Sequence, residues 1–330
     1  MNKNIVSLFS GAGGLDLGFE QAGFSTVWAN EFDKDVWDTF RLNFPNTTLD
    51  TRSIIDIPSD EIPDCVGLVG GPPCQSWSAA GAKRGIKDAR GQLFHEYIRV
   101  LREKQPLFFV AENVKGMLSK KNKPVFDDFI HEFEKCGYVV SWKLVNAFDY
   151  GVAQDRWRVI IVGVRTDAGV EFVFPDPVDE DNRVVLADAL KGLPEAVPAL
   201  EKNKHNDGVL MNAHEYFTGG FSSMFMSRNR VRGWDEPSFT IQAGGRHAPL
   251  HPQAPKMMKV DKDRFEFVAG SEGDYRRLSV RECARIQSFP DKVEFVYEDV
   301  NAGYKMVGNA VPVKLANTIA QALHGLVENC

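Results

Sequence analysis

Ile5-Val6-Ser7-Leu8-Phe9-Ser10-Gly11-Ala12-Gly13-Gly14-Leu15-Asp16-Leu17-Gly18-Phe19 runs from a short apolar segment through a glycine-rich turn into a helical pattern. That order opens a βαβ unit. The glycines let a ligand approach the backbone and aim the first N–H groups of the helix at it. A dinucleotide fingerprint would have its third glycine at position 16, where this chain carries Asp16. An acid beside a pyrophosphate repels it, so NAD or FAD fits poorly and a positively charged nucleotide-like ligand fits better. A tight turn without a ligand is the competing reading.

Outward from this stretch, near-continuous apolar runs at 24–29, 66–70, 107–111 and 159–164 read as further strands. Strands covered on both faces have this texture. The first 165 residues therefore predict an α/β fold with a parallel sheet. From about residue 174 to 270 the chain is rich in Pro, Gly and Asn with weak periodicity, which reads as a small irregular domain. Helical pattern returns at 279–286, where Ser279 and Glu282 fit a capping box. A last helix is expected from Pro312 to Glu328. The division is a large domain at 1–185, a small one at 186–290, and a segment at 291–330 that returns to the large domain.

With 330 residues, 43% hydrophobic and 25% charged, the chain can bury a sizeable core. No apolar run nears the roughly 20 residues of a membrane helix, and the start lacks a signal peptide. The five cysteines (65, 74, 136, 283 and 330) show no metal-ligand spacing, so reduced thiols in the cytoplasm and no metal are expected. Net charge is −6, yet residues 201–260 hold eight Lys and Arg against five Asp and Glu, a local +3. Such an island can meet DNA or RNA on one face, or be ordinary charge scatter.

Gly70-Gly71-Pro72-Pro73-Cys74-Gln75-Ser76-Trp77-Ser78 is the sharpest feature. A strand enters a rigid bend that holds Cys74 at the carboxyl edge of the sheet, where open α/β sheets place ligands. No hydrophobic periodicity calls for Cys74, so it reads as an activated thiolate nucleophile. The other four cysteines read as structural. Glu31, at the end of the second strand, suits a ribose diol. Glu112, at the end of the 107–111 strand, suits proton transfer, or else caps a following helix. Arg156 and Arg158 form either a salt-bridged strand start or contacts to phosphate or base.

Together these residues resemble the DNA (cytosine-5)-methyltransferases of bacterial restriction–modification systems. The matches lie in family order: Phe9 to Gly14, Glu31, Gly70 to Ser78, Glu112-Asn113-Val114, Gln154-x-Arg156-x-Arg158, Arg276 to Glu282, and Gly303 to Pro312. Phe225 to Arg232 and Leu250 to Pro255 resemble the HaeIII-type, GGCC-recognising members, whereas Gln242 to Pro249 departs from them. The resemblance implies a Rossmann-like large domain that binds S-adenosylmethionine through Phe9, Gly11, Ala12, Gly13, Gly14, Glu31, Phe32, Pro73, Asn309 and Ala310. The family's adenine-contacting aspartate aligns with Asp50, or with Ser53 after a gap shift. Cys74 and Glu112 would act on a flipped cytosine that Arg156 and Arg158 support, and the loop from Ala79 to Arg90 would close over it. Ser78, Arg84, Arg228, Arg230 and Arg246 would contact double-stranded DNA. A monomer with no membrane contact, alongside a separately encoded restriction endonuclease, completes that picture. A tRNA methyltransferase, a non-catalytic DNA-binding protein and, weakest, an oxidoreductase are the alternatives. Intact Cys74 and Glu112 speak against the second, Asp16 against the third.

Overall fold

The computed structural model describes residues 3–73 and 89–329, so Cys74, Ser78, Arg84 and most of the 79–90 loop lie outside the described residues. Elements in chain order are β1 (Asn4–Leu8), α1 (Gly14–Gln21), β2 (Ser25–Asn30), α2 (Trp37–Asn43), β3 (Thr48–Asp50), β4 (Gly67–Gly70), α3 (Ala89–Lys104), β5 (Phe108–Val114), α4 (Lys123–Lys135), β6 (Tyr138–Asn146) and β7 (Trp157–Arg165). There follow α5 (Leu186–Ala189), β8 (Val197–Pro198), β9 (Glu215–Tyr216), β10 (Met258–Asp261), β11 (Arg264–Glu266), α6 (Val280–Ile286), α7 (Val300–Asn309) and α8 (Val313–Asn329).

The seven-stranded sheet runs β3-β2-β1-β4-β5-β7-β6. The first five strands of that order are parallel, whereas β7 is antiparallel to both β5 and β6. The expected parallel sheet is present in those five strands, and the antiparallel β7 makes the whole sheet mixed. Alternate residues pack on opposite faces, because strand side chains have a period of two. Ile5, Phe108, Val110 and Val162 meet α1 and α8 on one face, while Val6, Phe109, Ala111 and Ile161 meet α3 and α4 on the other. Gly18 permits the α1–α8 approach: a Cβ there would lie 2.4 Å from the Ala316 Cβ.

A third core joins α6 and α7 to Ala12, Val36, Leu186 and Ile241. The region between α5 and α6 has its own small core of Phe225, Val231, Leu250, Ala254, Met257 and Tyr275. Its strands are only two to four residues long. Ser279 caps α6, with Glu282 closing the capping box. Among the described residues no helix is long and apolar enough to cross a membrane.

Candidate active site

Strand order reverses between β1 and β4, so a crevice opens at their carboxyl ends. Phe9 leaves β1 at φ 56°, a left-handed conformation that a bulky residue rarely adopts and that gathers at ligand sites. Gly13 follows at φ 79° with the Phe44 ring where a Cβ would stand, so only glycine fits. Glu31 locks this loop: its Oε2 accepts from the Gly11 N–H at 2.8 Å and its Oε1 from the Asp33 N–H at 2.7 Å. Burial raises the Glu31 pKa despite those two bonds.

The crevice is a cavity of about 920 Å³. Phe9, Gly11, Ala12, Gly14, Glu31, Phe32, Pro73, Asn309 and Ala310 line it, whereas Gly13 is not on the wall. Phe32 is 70% exposed, an aromatic face open to a planar ligand. Asp50 is not on the wall. Its carboxylate is held by Arg52, with Oδ2 2.6 Å from the guanidinium, which keeps its pKa low. Ser53 and Ile54 face the cavity instead, because the Asn30 amide donates to the Asp50 and Arg52 carbonyls and turns the chain there. Asp16 is not on the wall either. A residue of α1 itself, it is fully buried next to Ser7 of β1 and Thr26 of β2 and does not line the cavity.

Motif reading missed Asn30, Trp37 and Lys305, which also border the cavity. Lys305 Nζ sits 2.5 Å from Asp33 and 3.1 Å from Asp35 at the rim. No local pattern marks a pair 270 residues apart.

Beyond the end of β4, β5 continues for three residues, so Glu112 is a strand residue paired with Ile160 and does not cap a helix. Its carboxylate faces the cavity and meets Arg158 Nε at 2.6 Å, with both side chains largely buried. Asn113 donates to the Pro72 carbonyl at 3.0 Å and so ties down the bend that leads into Cys74.

Arg156 has a different fate. It is 1% exposed and donates to the carbonyls of Ile241, Gly308 and Ala310. Burial pulls its pKa down to about 9, which leaves it charged at neutral pH. The expected contact to a nucleotide gives way to bracing of the wall that carries Asn309 and Ala310. Gln154 and Gln287, hydrogen-bonded to each other at 2.8 Å, complete this buried knot.

Residues 3–325 match the family model for C-5 cytosine-specific DNA methylases. The chain belongs to that family. The methylase is 57% identical over 322 residues to the type II methyltransferase M.FnuDI of Fusobacterium nucleatum, covering 97% of this chain and 93% of that one. It is 55% identical to M.MthTI of Methanothermobacter thermautotrophicus over 98% and 97% of the two chains. Its fold is like that of the Entamoeba histolytica methyltransferase EhMeth, with a TM-score of 0.70 at 17% identity over 100% and 99% of the chains. The activity is that of a DNA (cytosine-5-)-methyltransferase, of a class that depends on S-adenosylmethionine.

The cavity of the methylase suits that cofactor. A Cβ on Gly11 would meet nothing within 4 Å, so the loop leaves open space, with a carboxylate and an exposed aromatic ring beside it. Among the described residues, no three His, Cys, Asp or Glu side chains are arranged to hold a metal.

Of the arginines expected to touch DNA, Arg228 and Arg246 are exposed on the methylase surface. Arg230 is 7% exposed, stacks 4.7 Å over the Phe225 ring, and donates to the carbonyls of Phe225 and Met224. Two of its nitrogens are thus taken up by the protein's own backbone, which sets it apart from the two exposed arginines.

Proposed function

We propose that the methylase transfers a methyl group to C5 of one cytosine within duplex GGCC, flipping the base out and adding Cys74 to its C6. One observation carries the reading. Asn113 anchors Pro72, two residues before Cys74, while its neighbour Glu112 presents a carboxylate to the same cavity.

Cytosine C5 is a poor nucleophile. Attack of the Cys74 thiolate forms a C6–S bond and drives the ring electrons toward N3 and C5. Glu112, oriented by Arg158, stabilises that charge by holding a proton at N3 and accepting from the 4-amino group. S-adenosylmethionine, when bound, supplies the electrophilic methyl that the activated C5 takes. Loss of the C5 proton to water then restores the C5–C6 double bond and expels the Cys74 thiolate. A stacked base cannot offer C6 to a side chain, hence the flipping.

Glu31 would hold the ribose diol, Phe32 and Ser53 the adenine, and Asn309 with Ala310 the amino-acid end. Arg158 is a positioning residue for Glu112, and Arg156 braces the site from behind. Ser78, Arg84, Arg228 and Arg246 are the DNA contacts of this reading. In this reading the methylase is a monomeric bacterial enzyme that shields host DNA from a cognate restriction endonuclease, and the relatives' type II naming supports the restriction–modification setting.

Bisulfite sequencing of DNA from an expressing host tests the proposal. Methylation confined to GGCC, and none with Cys74→Ser, is expected. Scattered or absent methylation, or transfer retained by Cys74→Ser, would overturn it.

A further inference from the structure

Past Glu112 the chain leaves β5 through Val114 and enters a turn carrying Lys115, Lys120, Lys121 and Lys123. No acidic residue occurs between Asn113 and Phe126, although the whole protein has a net charge of −6. Lys115, Lys120 and Lys121 are exposed. Lys123 is engaged by Asp127 and lies over the Phe126 ring.

Position makes this cluster more than a solvated turn. Lys115 is three residues from Glu112 along an extended strand, at most about 11 Å away. Its ammonium group sits 4.9 Å over the ring of Trp157, whose neighbour Arg158 holds Glu112. Val114 lines the cavity, and Lys115 follows it directly in the chain. The turn is itself built: the Asn122 amide donates to the Gly116 carbonyl at 2.9 Å, and the Asn122 N–H to Ser119. It therefore presents Lys120 and Lys121 on a defined scaffold. Lysine is a compact, hydrated point charge that reads phosphate without fixing a base.

We propose that Lys115, Lys120 and Lys121 form a phosphate-tracking face for the duplex on the turn that follows the cavity-lining end of β5, separate from the arginines of the small domain. The proposal rests on the reading of the enzyme as one that acts on duplex DNA. A base delivered to Glu112 brings its own backbone to the rim, and the repeating charge of that backbone matches this face. These lysines contribute affinity and salt dependence, and no sequence preference.

The test measures binding of a short duplex carrying the methylated motif, with S-adenosylhomocysteine present, across a range of salt. The intact protein is compared with the triple variant Lys115→Gln/Lys120→Gln/Lys121→Gln. Each phosphate contact contributes about 0.9 to the slope of log affinity against log salt, so three lost contacts flatten it by about 2.7. Between roughly 50 and 200 mM salt the variant should lose about 40-fold less affinity than the parent. S-adenosylhomocysteine affinity, melting temperature and preference for the motif over a scrambled duplex should match the parent. A variant slope equal to a steep parental one overturns the lysine face alone, as does a lost motif preference. A parent that does not bind duplex DNA overturns the underlying reading as well.

Discussion

The sheet-bearing part of the chain and the irregular region between α5 and α6 satisfy their backbones by different means. In the sheet, ladders pair the main-chain groups, and a polar side chain such as Glu112 is left free to face the cavity. The irregular region has few ladders, and arginine side chains take their place. Arg230 bonds the carbonyls of Met224 and Phe225, Arg277 those of Gly219 and Gly220, and Arg281 those of Asn212 and Val293. An unpaired buried carbonyl is costly, and a guanidinium with five donors can serve several. The sheet-bearing part uses the same device where its own ladders stop: Arg99 holds the Ile54 and Ile57 carbonyls. An arginine-rich stretch in the irregular region is therefore structural first, and only its exposed members are available to a partner.

Five substitutions test this contrast. Replacing Glu112 by Gln, a change on the rigid strand, should cut single-turnover methyl transfer on the order of 10²–10⁴-fold. Calorimetric binding of S-adenosylhomocysteine should remain. Wild-type turnover would show that the sheet's cavity-facing carboxyl is not the acid.

The second concerns buried acids. Burial works against ionisation of Glu282 in α6, but the two bonds from Arg276 outweigh it and its pKa is lowered. Asp16, between α1 and the sheet, has no such cation. The hydroxyls of Ser7 and Thr26 face it without reaching hydrogen-bond geometry, and burial raises its pKa to about 7, against their smaller opposing effect. Asp16 is thus protonated in the fold while it ionises near 3.8 when unfolded. Its contribution is full below that value and is lost as pH rises toward about 7, by at most about 4 kcal/mol. Denaturant melts at about pH 5 and about pH 7.5 should show the decline in the wild type and a flatter profile in Asp16→Asn. An equal decline in both would remove Asp16 as its cause.

The smallest effects separate the arginines. Arg230→Met should cost about 1–3 kcal/mol of stability, because it strands buried carbonyls, and leave the motif intact. Arg228→Ala and Arg246→Ala should melt like the parent but relax the motif at one base pair each, by about 1–3 kcal/mol of discrimination. Methylation sequencing beside thermal melts separates the two outcomes. If Arg230→Met melts normally and alters the motif, Arg230 is a reader of DNA and not a backbone brace.

Local pattern alone was sufficient for β1, β2, β4, β5, β7 and the Ser279 capping box. A strand buried on both faces must be apolar throughout, and a cap is a contact within four residues. It was insufficient for β3, three residues long, and for β6, an edge strand whose Trp142 and Val139 are exposed. It was equally silent on the reversed direction of β7, which depends on how the chain returns to the sheet and on no residue within the strand. The motif arginines show the limit most sharply. Arg156 and Arg158 stand two residues apart, as do Arg228 and Arg230, and chemistry cannot tell the members of either pair apart. Packing against Ile241 and Gly308 buried Arg156 and left Arg158 for Glu112, and the Phe225 ring and carbonyl captured Arg230 while Arg228 stayed in solvent. Periodicity records the hydrogen bonds and faces of a segment's own elements. Whether a guanidinium is sealed in or left exposed depends on which other segment folds over it, up to 154 residues away in the case of Arg156.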